Sequence, residues 1–309
     1  MILKIKVDRG RQRVLFPVNF YGTFKVMKMK KIAAVNDISG FGKCSLAVSI
    51  PIMASLGVQC CPLVTGVFSN QTGYDSFYCR DCTDDMEPCI DEWKKLNADF
   101  DGILTGFIAN GKQGKIIHKL IDTFGKENTV VAVDPVMADD GEIYKCYDEE
   151  SVKAIISLAE RADIITPNLT ELCILSGRNY YDVITLEKEK LLDAIKEMSL
   201  LQNKSKAKTV VTSGIHISEN EVANTVYDGG KFDVIVTPHY GGSFSGTGDI
   251  LASFVTAQYI KGVPVNKAVK QASEFICKSI EETIKDTKGA YNRMDGVHFE
   301  RYLRELGDL

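Results

Sequence analysis

The chain has 309 residues, of which 45% are apolar and 25% charged, an ordinary composition for a globular protein with one large domain or two small ones. A formal charge of -4 and a pI near 5.7 argue against a general nucleic-acid binder. No apolar run approaches the roughly 20 residues that cross a bilayer, which argues against a membrane-spanning protein.

The charge is unevenly spread. Residues 1–30 carry Lys4, Lys6, Arg9, Arg11, Arg13, Lys25, Lys28 and Lys30 against Asp8 alone, about +7, which leaves about -11 for the rest. This stretch has no apolar h-region followed by a small-residue cleavage site, and a transit peptide is disfavoured by the absence of serine and by Pro17 and Gly22. We read residues 1–29 as a dispensable basic leader, upstream of a natural start at Met27 or Met29, and 30–309 as a single domain. Nine cysteines without a secretory signal point to a reducing cytoplasm rather than a disulfide framework. Cys79-Arg-Asp-Cys82 with Cys89 has one pair at metal spacing and no second, so free thiols are favoured over zinc. His118, His216, His239 and His298 are scattered and read as structural or exposed.

From Lys31 onward β-rich runs alternate with helical stretches, the pattern of an α/β protein with a mostly parallel sheet covered on both faces. Strands are expected at 31–35, 58–64, 102–105, 130–134, 163–166 and 209–213, and helices near 45–56, 84–98, 112–125, 149–160 and 187–202. Residues 221–237 alternate around Asp228-Gly229-Gly230 and read as an edge hairpin. Two helices, about 247–261 and 266–285, follow. Ser39-Gly-Phe-Gly-Lys-Cys-Ser45 resembles a Walker A loop superficially, but its first glycine is misplaced and Cys44 stands where Ser or Thr would hold magnesium. What remains is a tight strand-to-helix turn where open α/β sheets bind ligands.

Gly246-Thr247-Gly248-Asp249, directly ahead of Ile250, Leu251, Phe254 and Val255, is a glycine turn opening a helix. Unpaired amides and the positive end of the helix dipole converge there. Asp249 at that point reads either as a general base beside an anion hole or as a simple N-cap.

Polar residues recur at successive strand ends: Asn36-Asp37-Ile-Ser39, Phe68-Ser-Asn70-Gln-Thr72-Gly73-Tyr74, Leu104-Thr-Gly-Phe107, Asp134-Pro-Val-Met137, Thr166-Pro-Asn168-Leu-Thr-Glu171, Thr212-Ser213-Gly214 and Gly246-Thr-Gly-Asp249. In this order the series resembles the pyridoxal and pyridoxamine kinases of the ribokinase superfamily, from about Lys31 to Lys285. The resemblance implies a ribokinase-like three-layer sandwich that transfers the γ-phosphoryl of ATP to the 5′-hydroxyl of a B6 vitamer. It implies Asp249 as general base, with the amides of Gly246, Thr247 and Gly248 stabilising the transferred group. It also implies that Asn168 and Glu171 hold hydrated magnesium with Asp134 nearby, although Asn168 and Glu171 also fit a capping box. Thr212 and Ser213 would lie along the nucleotide phosphates, and Asp139 and Tyr144 on a flap over them. Phe68 and Thr72 match vitamer-pocket positions, and Phe107 falls where the family often has a ring-stacking tyrosine, while Phe68 and Phe107 fit core positions equally well. Potassium as a further cofactor and a homodimer are family expectations.

The first loop departs from the family. Asp37, near Ser39, stands where a serine usually meets the ring nitrogen; a carboxylate there suits a protonated pyridine or the amino group of a pyrimidine. The alternative substrate is therefore hydroxymethylpyrimidine, phosphorylated in thiamin salvage by a sister activity. Those kinases commonly carry Cys after the last glycine, where this chain has Asp249. The double-glycine sugar clamp of the sugar kinases is not evident. A catalytically silent B6-binding protein is the third reading, against which the retained Asp249 speaks.

Overall fold

The computed structural model describes residues 28–202 and 209–309; the basic leader lies outside them except for its last two residues. In chain order the elements are β1 (Lys31–Ser39), α1 (Leu46–Ser55), β2 (Gln59–Phe68), β3 (Cys79–Asp81), α2 (Thr83–Lys95), β4 (Gly102–Thr105), α3 (Gly111–Phe124) and β5 (Val130–Val133). A small hairpin, β6 (Ala138–Asp139) and β7 (Glu142–Ile143), precedes α4 (Glu149–Ala159), β8 (Ile164–Ile165), α5 (Leu169–Ser176), α6 (Tyr180–Ile184) and α7 (Lys188–Gln202). Strands β9 (Thr209–Ser218), β10 (Glu221–Asp228) and β11 (Lys231–Pro238) lead to α8 (Thr247–Ile260) and α9 (Val265–Asp286).

One nine-stranded sheet in the order β11-β10-β9-β8-β5-β4-β1-β2-β3 forms the middle layer. Its six central strands are parallel, and β3, β10 and β11 add antiparallel edges. Side chains alternate across a strand, so β1 supplies both cores. Ile32 and Ala34 pack with α1, α8 and α9, whereas Ala33 and Val35 pack with the layer containing α2, α3, α4, α5 and α7. Burial on both faces explains the uninterrupted apolar run Ile32-Ala-Ala-Val35 within β1.

Strand β1 is flanked by β2 on one side and β4 on the other, so the chain reverses its direction of winding there. A crevice opens at the carboxyl ends of β1 and β4, the position at which open α/β sheets take ligands. Strand β1 itself runs four residues beyond the expected Val35: its register shifts between Asn36 and Ile38, and Ser39 still pairs with Phe68. Backbone pairing with β2 carries the strand through residues whose polarity suggests a break. Likewise β9 continues to Ser218, because β10 pairs with it beyond Ser213.

Candidate active site

Helix α8 begins at Gly246, which has φ +80° and contributes no side-chain cap. A Cβ on Gly246 would lie 2.0 Å from the Lys43 carbonyl oxygen, so the turn is pressed against the β1–α1 loop and both the conformation and the space require glycine. Ile250 N donates to Gly246 O at 2.9 Å, closing the first turn. The amides ahead of it open into the crevice at the positive end of the helix. Asp249 lies in that first turn, and burial followed by the nearby Asp37 carboxylate raises its carboxyl to about 6, against the pull of the Ser45 amide and the Asn36 side chain.

The β1–α1 loop supports this carboxylate. Asn36 is 6% exposed; its Nδ2 donates to Asp249 Oδ1 at 3.3 Å, while its Oδ1 accepts from Asp37 N at 3.0 Å and Phe107 N at 2.9 Å. Asp37 is equally buried, and its two oxygens accept from Ser45 Oγ at 2.5 Å and Ser39 Oγ at 3.0 Å. In this arrangement Asp37 holds the turn, and burial shifts its carboxyl above the ordinary range. Ser45 has φ +54°, an uncommon conformation for a non-glycine residue, and its bond to Asp37 helps to hold it. Cys44 lies within this cluster, and burial followed by Asp249 and Asp37 pushes its thiol up to about 12, so it is neutral near pH 7.

Beside the base, Phe68, Phe107 and Tyr147 form an aromatic wall. Phe107 meets Phe68 edge-on at 5.6 Å and Tyr147 in a stack, also at 5.6 Å. The Tyr147 hydroxyl is buried. Thr72 is exposed on the β2–β3 loop, next to a groove of about 380 Å³ lined by Phe41, Ser69, Asn70, Tyr74, Asp75 and Ser76. Tyr144 lies on the segment after β7 with Tyr147, its ring 6.5 Å from that of Tyr147. Asp139 is part-buried in the small hairpin and its Oδ1 accepts from Asp140 N at 3.1 Å.

A second acidic group lies at the ends of β5 and β8. Asp134 accepts from Thr166 Oγ1 at 2.8 Å, and its carboxyl is raised to about 7 by burial and then by Asp249. Asn168 and Glu171 form a capping box on α5: Asn168 Oδ1 accepts from Glu171 N, and Glu171 Oε2 accepts from Asn168 N, each at 2.9 Å. Glu171 Oε1 also takes the Met137 amide at 3.0 Å, and Asn168 Nδ2 donates to Ala138 O at 2.7 Å. Burial and then Asp134 keep the Glu171 carboxyl well above the usual range. Thr212 is fully buried, its hydroxyl without a hydrogen-bond partner among the described residues, whereas Ser213 is part-exposed and its N–H donates to Pro167 O at 3.0 Å.

These residues do not make a closed metal cage: among the described residues no group of three or more His, Cys, Asp or Glu is placed to hold an ion. They do fit a hydrated divalent cation. Asp134 keeps one oxygen without a hydrogen-bond donor among the described residues, and burial disfavours the charged forms of Asp134 and Glu171, which a nearby cation would stabilise.

Several site features are not apparent from local sequence. The anchoring by Asn36, the Asp37–Ser45 bond and the buried Tyr147 hydroxyl depend on residues brought together from distant segments. So does a strap formed by residues 292–300. Ser245 N donates to Arg293 O at 3.0 Å, the Tyr74 hydroxyl bonds Asp295, and Lys43 Nζ reaches Val297 O at 3.1 Å and Glu300 at 3.0 Å. The strap thus ties together the β1–α1 loop, the β2–β3 loop and the approach to α8. His216 and His239, scattered in sequence, meet edge-on with ring centroids 4.6 Å apart at the ends of β9 and β11. The nine cysteines are free thiols.

A carboxylate in the first turn of an uncapped helix, set at the switch point of a mostly parallel sheet, is the architecture of a ribokinase-like kinase. The chain belongs to the phosphomethylpyrimidine kinase family, whose model it matches over residues 51–293. The crystal structure of a candidate phosphomethylpyrimidine kinase from Bacteroides thetaiotaomicron is 35% identical and superposes with a TM-score of 0.84, covering 93% of this chain and 96% of that one. An orthorhombic form from the same organism, described with pyridoxal, is 34% identical with a TM-score of 0.82, covering 91% and 96%. The hydroxymethylpyrimidine/phosphomethylpyrimidine kinase of Aquifex aeolicus is 29% identical over 66% of this chain and 77% of its own length. A candidate pyridoxal kinase of Schizosaccharomyces pombe is 26% identical over 85% and 86%.

Proposed function

We propose that this kinase phosphorylates the 5′-hydroxyl of a B6 vitamer, using ATP. The observation that carries the reading is Asp249: a carboxylate with a pKa near 6 at the start of an uncapped helix, beside an aromatic wall suited to a flat heterocycle. The Bacteroides relative described with pyridoxal supports the choice of acceptor.

In this reading the ring lies against Phe68 and Phe107, with Thr72 at the entrance and Asp37 and Ser39 beneath. Asp249 takes the proton of the acceptor hydroxyl as that hydroxyl's oxygen attacks the γ-phosphorus of ATP, while the bond from the γ-phosphorus to the β–γ bridging oxygen breaks and ADP leaves. The amides of Gly246, Thr247 and Gly248 stabilise charge on the transferred group, where alignment and neutralisation supply most of the catalysis. Asn168, Ser213 and Thr212 are assigned to the nucleotide side, and Asp139 and Tyr144 to its cover. Asp134 and Glu171 would hold magnesium through water; when bound, the ion neutralises phosphate charge. Potassium would add to that neutralisation, and a homodimer is the proposed assembly.

Hydroxymethylpyrimidine is the second reading, favoured by the family match and the Aquifex relative. An ADP-release assay across pyridoxal, pyridoxine, pyridoxamine and hydroxymethylpyrimidine separates the two. A kcat/KM higher for any vitamer supports the first reading; a much higher value for hydroxymethylpyrimidine than for all three vitamers replaces it with the second. ATP turnover with none of them leaves neither.

A further inference from the structure

We propose that Asn36 is the positioning residue of the reaction: it holds one oxygen of Asp249 so that the other faces the acceptor hydroxyl. The proposal rests on the general-base reading of Asp249.

The orientation of the Asn36 carboxamide follows from its neighbours. Two backbone N–H groups, those of Asp37 and Phe107, point at one of its terminal atoms, at 3.0 and 2.9 Å. Only the oxygen can accept both, so the other atom is Nδ2, which can only donate. The atom waiting for it is Asp249 Oδ1, 3.3 Å away. Space is reserved for this group on the far side as well: a Cβ on Gly106 would lie 2.5 Å from Asn36 Nδ2. With Asn36 6% exposed, its amide is a buried polar group held by three partners.

This geometry does two things at once. Through Oδ1, Asn36 fixes the Phe107 backbone and hence one ring of the aromatic wall. Through Nδ2 it pins the base alongside the Ser45 amide, so one planar side chain links the ring to the base. A carboxylate free to rotate would offer its lone pairs to the hydroxyl only part of the time, and loss of alignment lowers kcat rather than affinity.

The test is Asn36→Asp, alone and combined with Asp249→Asn. Asn36→Asp keeps the oxygen that serves Asp37 and Phe107, but it places a second carboxylate oxygen against Asp249. We expect kcat to fall roughly 10- to 100-fold, the range for loss of a hydrogen bond to a charged group, with the acceptor KM within about twofold. Tm should fall in the single variant and recover in the double variant, where the amide at position 249 donates to the new carboxylate. If the single variant does not fold, the double variant should. A kcat within about twofold of the parent, or an equal Tm loss in both backgrounds, overturns the positioning role. Near-parental turnover in Asp249→Asn alone instead overturns the general-base reading, and the two failures are thereby told apart.

Discussion

At position 249, carboxylate and carboxamide have nearly the same shape and differ in the ability to take a proton. Asp249→Asn should therefore lower kcat by about 10²- to 10⁴-fold, the usual range for a lost general base, or about 3 to 5 kcal/mol of barrier. The dissociation constant for ATP should not rise, because the carboxylate faces the acceptor and its repulsion of the γ-phosphate opposes binding. The N-cap of α8 is Gly246 and not Asp249, so the competing role is a structural one; an Asp that only braced the first turn would leave both quantities nearly unchanged, since Asn keeps its shape and accepts the same hydrogen bonds. Only the ionised base accepts a proton, so a pH series from 5 to 8 should show kcat rising with pH to a plateau above about 6. Asp134 gives a prediction in stability. Its folded-state pKa is raised from 3.8 to about 7, so the folded chain binds the proton more tightly than the unfolded chain, and stability falls as pH rises through that window. Asp134→Asn should raise Tm most at pH 8, with the gain shrinking toward pH 4. No gain at pH 8 would mean that the charge is compensated within the protein. Asp249 and its glycines are legible in the sequence because they are contiguous, whereas the partner of Asp249, Asn36, lies 213 residues away. Nothing in a local pattern reports that distance.

Among the elements, the glycine turn ahead of α8 offers a paired test of conformation against chemistry. Gly246→Ala meets both a positive φ and the Lys43 carbonyl, so Tm should drop by roughly 5 °C or more, with activity falling alongside it. Gly248 has open space where a Cβ would stand, with no heavy atom within 4 Å, and its φ is not positive. Gly248→Ala should keep Tm within about 2 °C while lowering kcat, because the methyl enters the space assigned to the phosphoryl group. Equal Tm losses in the two variants would show that the turn is structural throughout. Strand β4 matches its expected bounds: its four residues, Gly-Ile-Leu-Thr, are all buried and are flanked by Asp101 and Gly106. Strands β3, β6 and β7 and helix α6 are too short to establish a period, and their positions depend on neighbours across the sheet or hairpin. The extension of β1 is hidden in the sequence for a related reason: its last residues are polar, and only the pairing partner keeps them extended.

For the molecule as a whole, the charge imbalance at the amino end leads to a simple expectation. A chain beginning at Met29 should keep both Tm and kcat, since Lys30 still reaches Asp101 and the exposed Lys28–Asp99 pair is screened by solvent. A large loss of either would make the basic leader an integral part of the protein. The α/β class is legible from alternation alone, whereas the strap is not, because residues 292–300 carry neither a helical nor a strand period. That strap sets a timetable for synthesis. Strand β1, with Asn36, leaves the ribosome first, but its base arrives with α8 and the residues that brace Lys43 and Tyr74 arrive later still. Domains emerge from the amino end and begin to collapse before the chain is complete. A nascent chain stopped before Arg293 would thus contain every described strand of the sheet yet lack the clasp on its reactive loops, so those loops are braced only once residues 292–300 have been made.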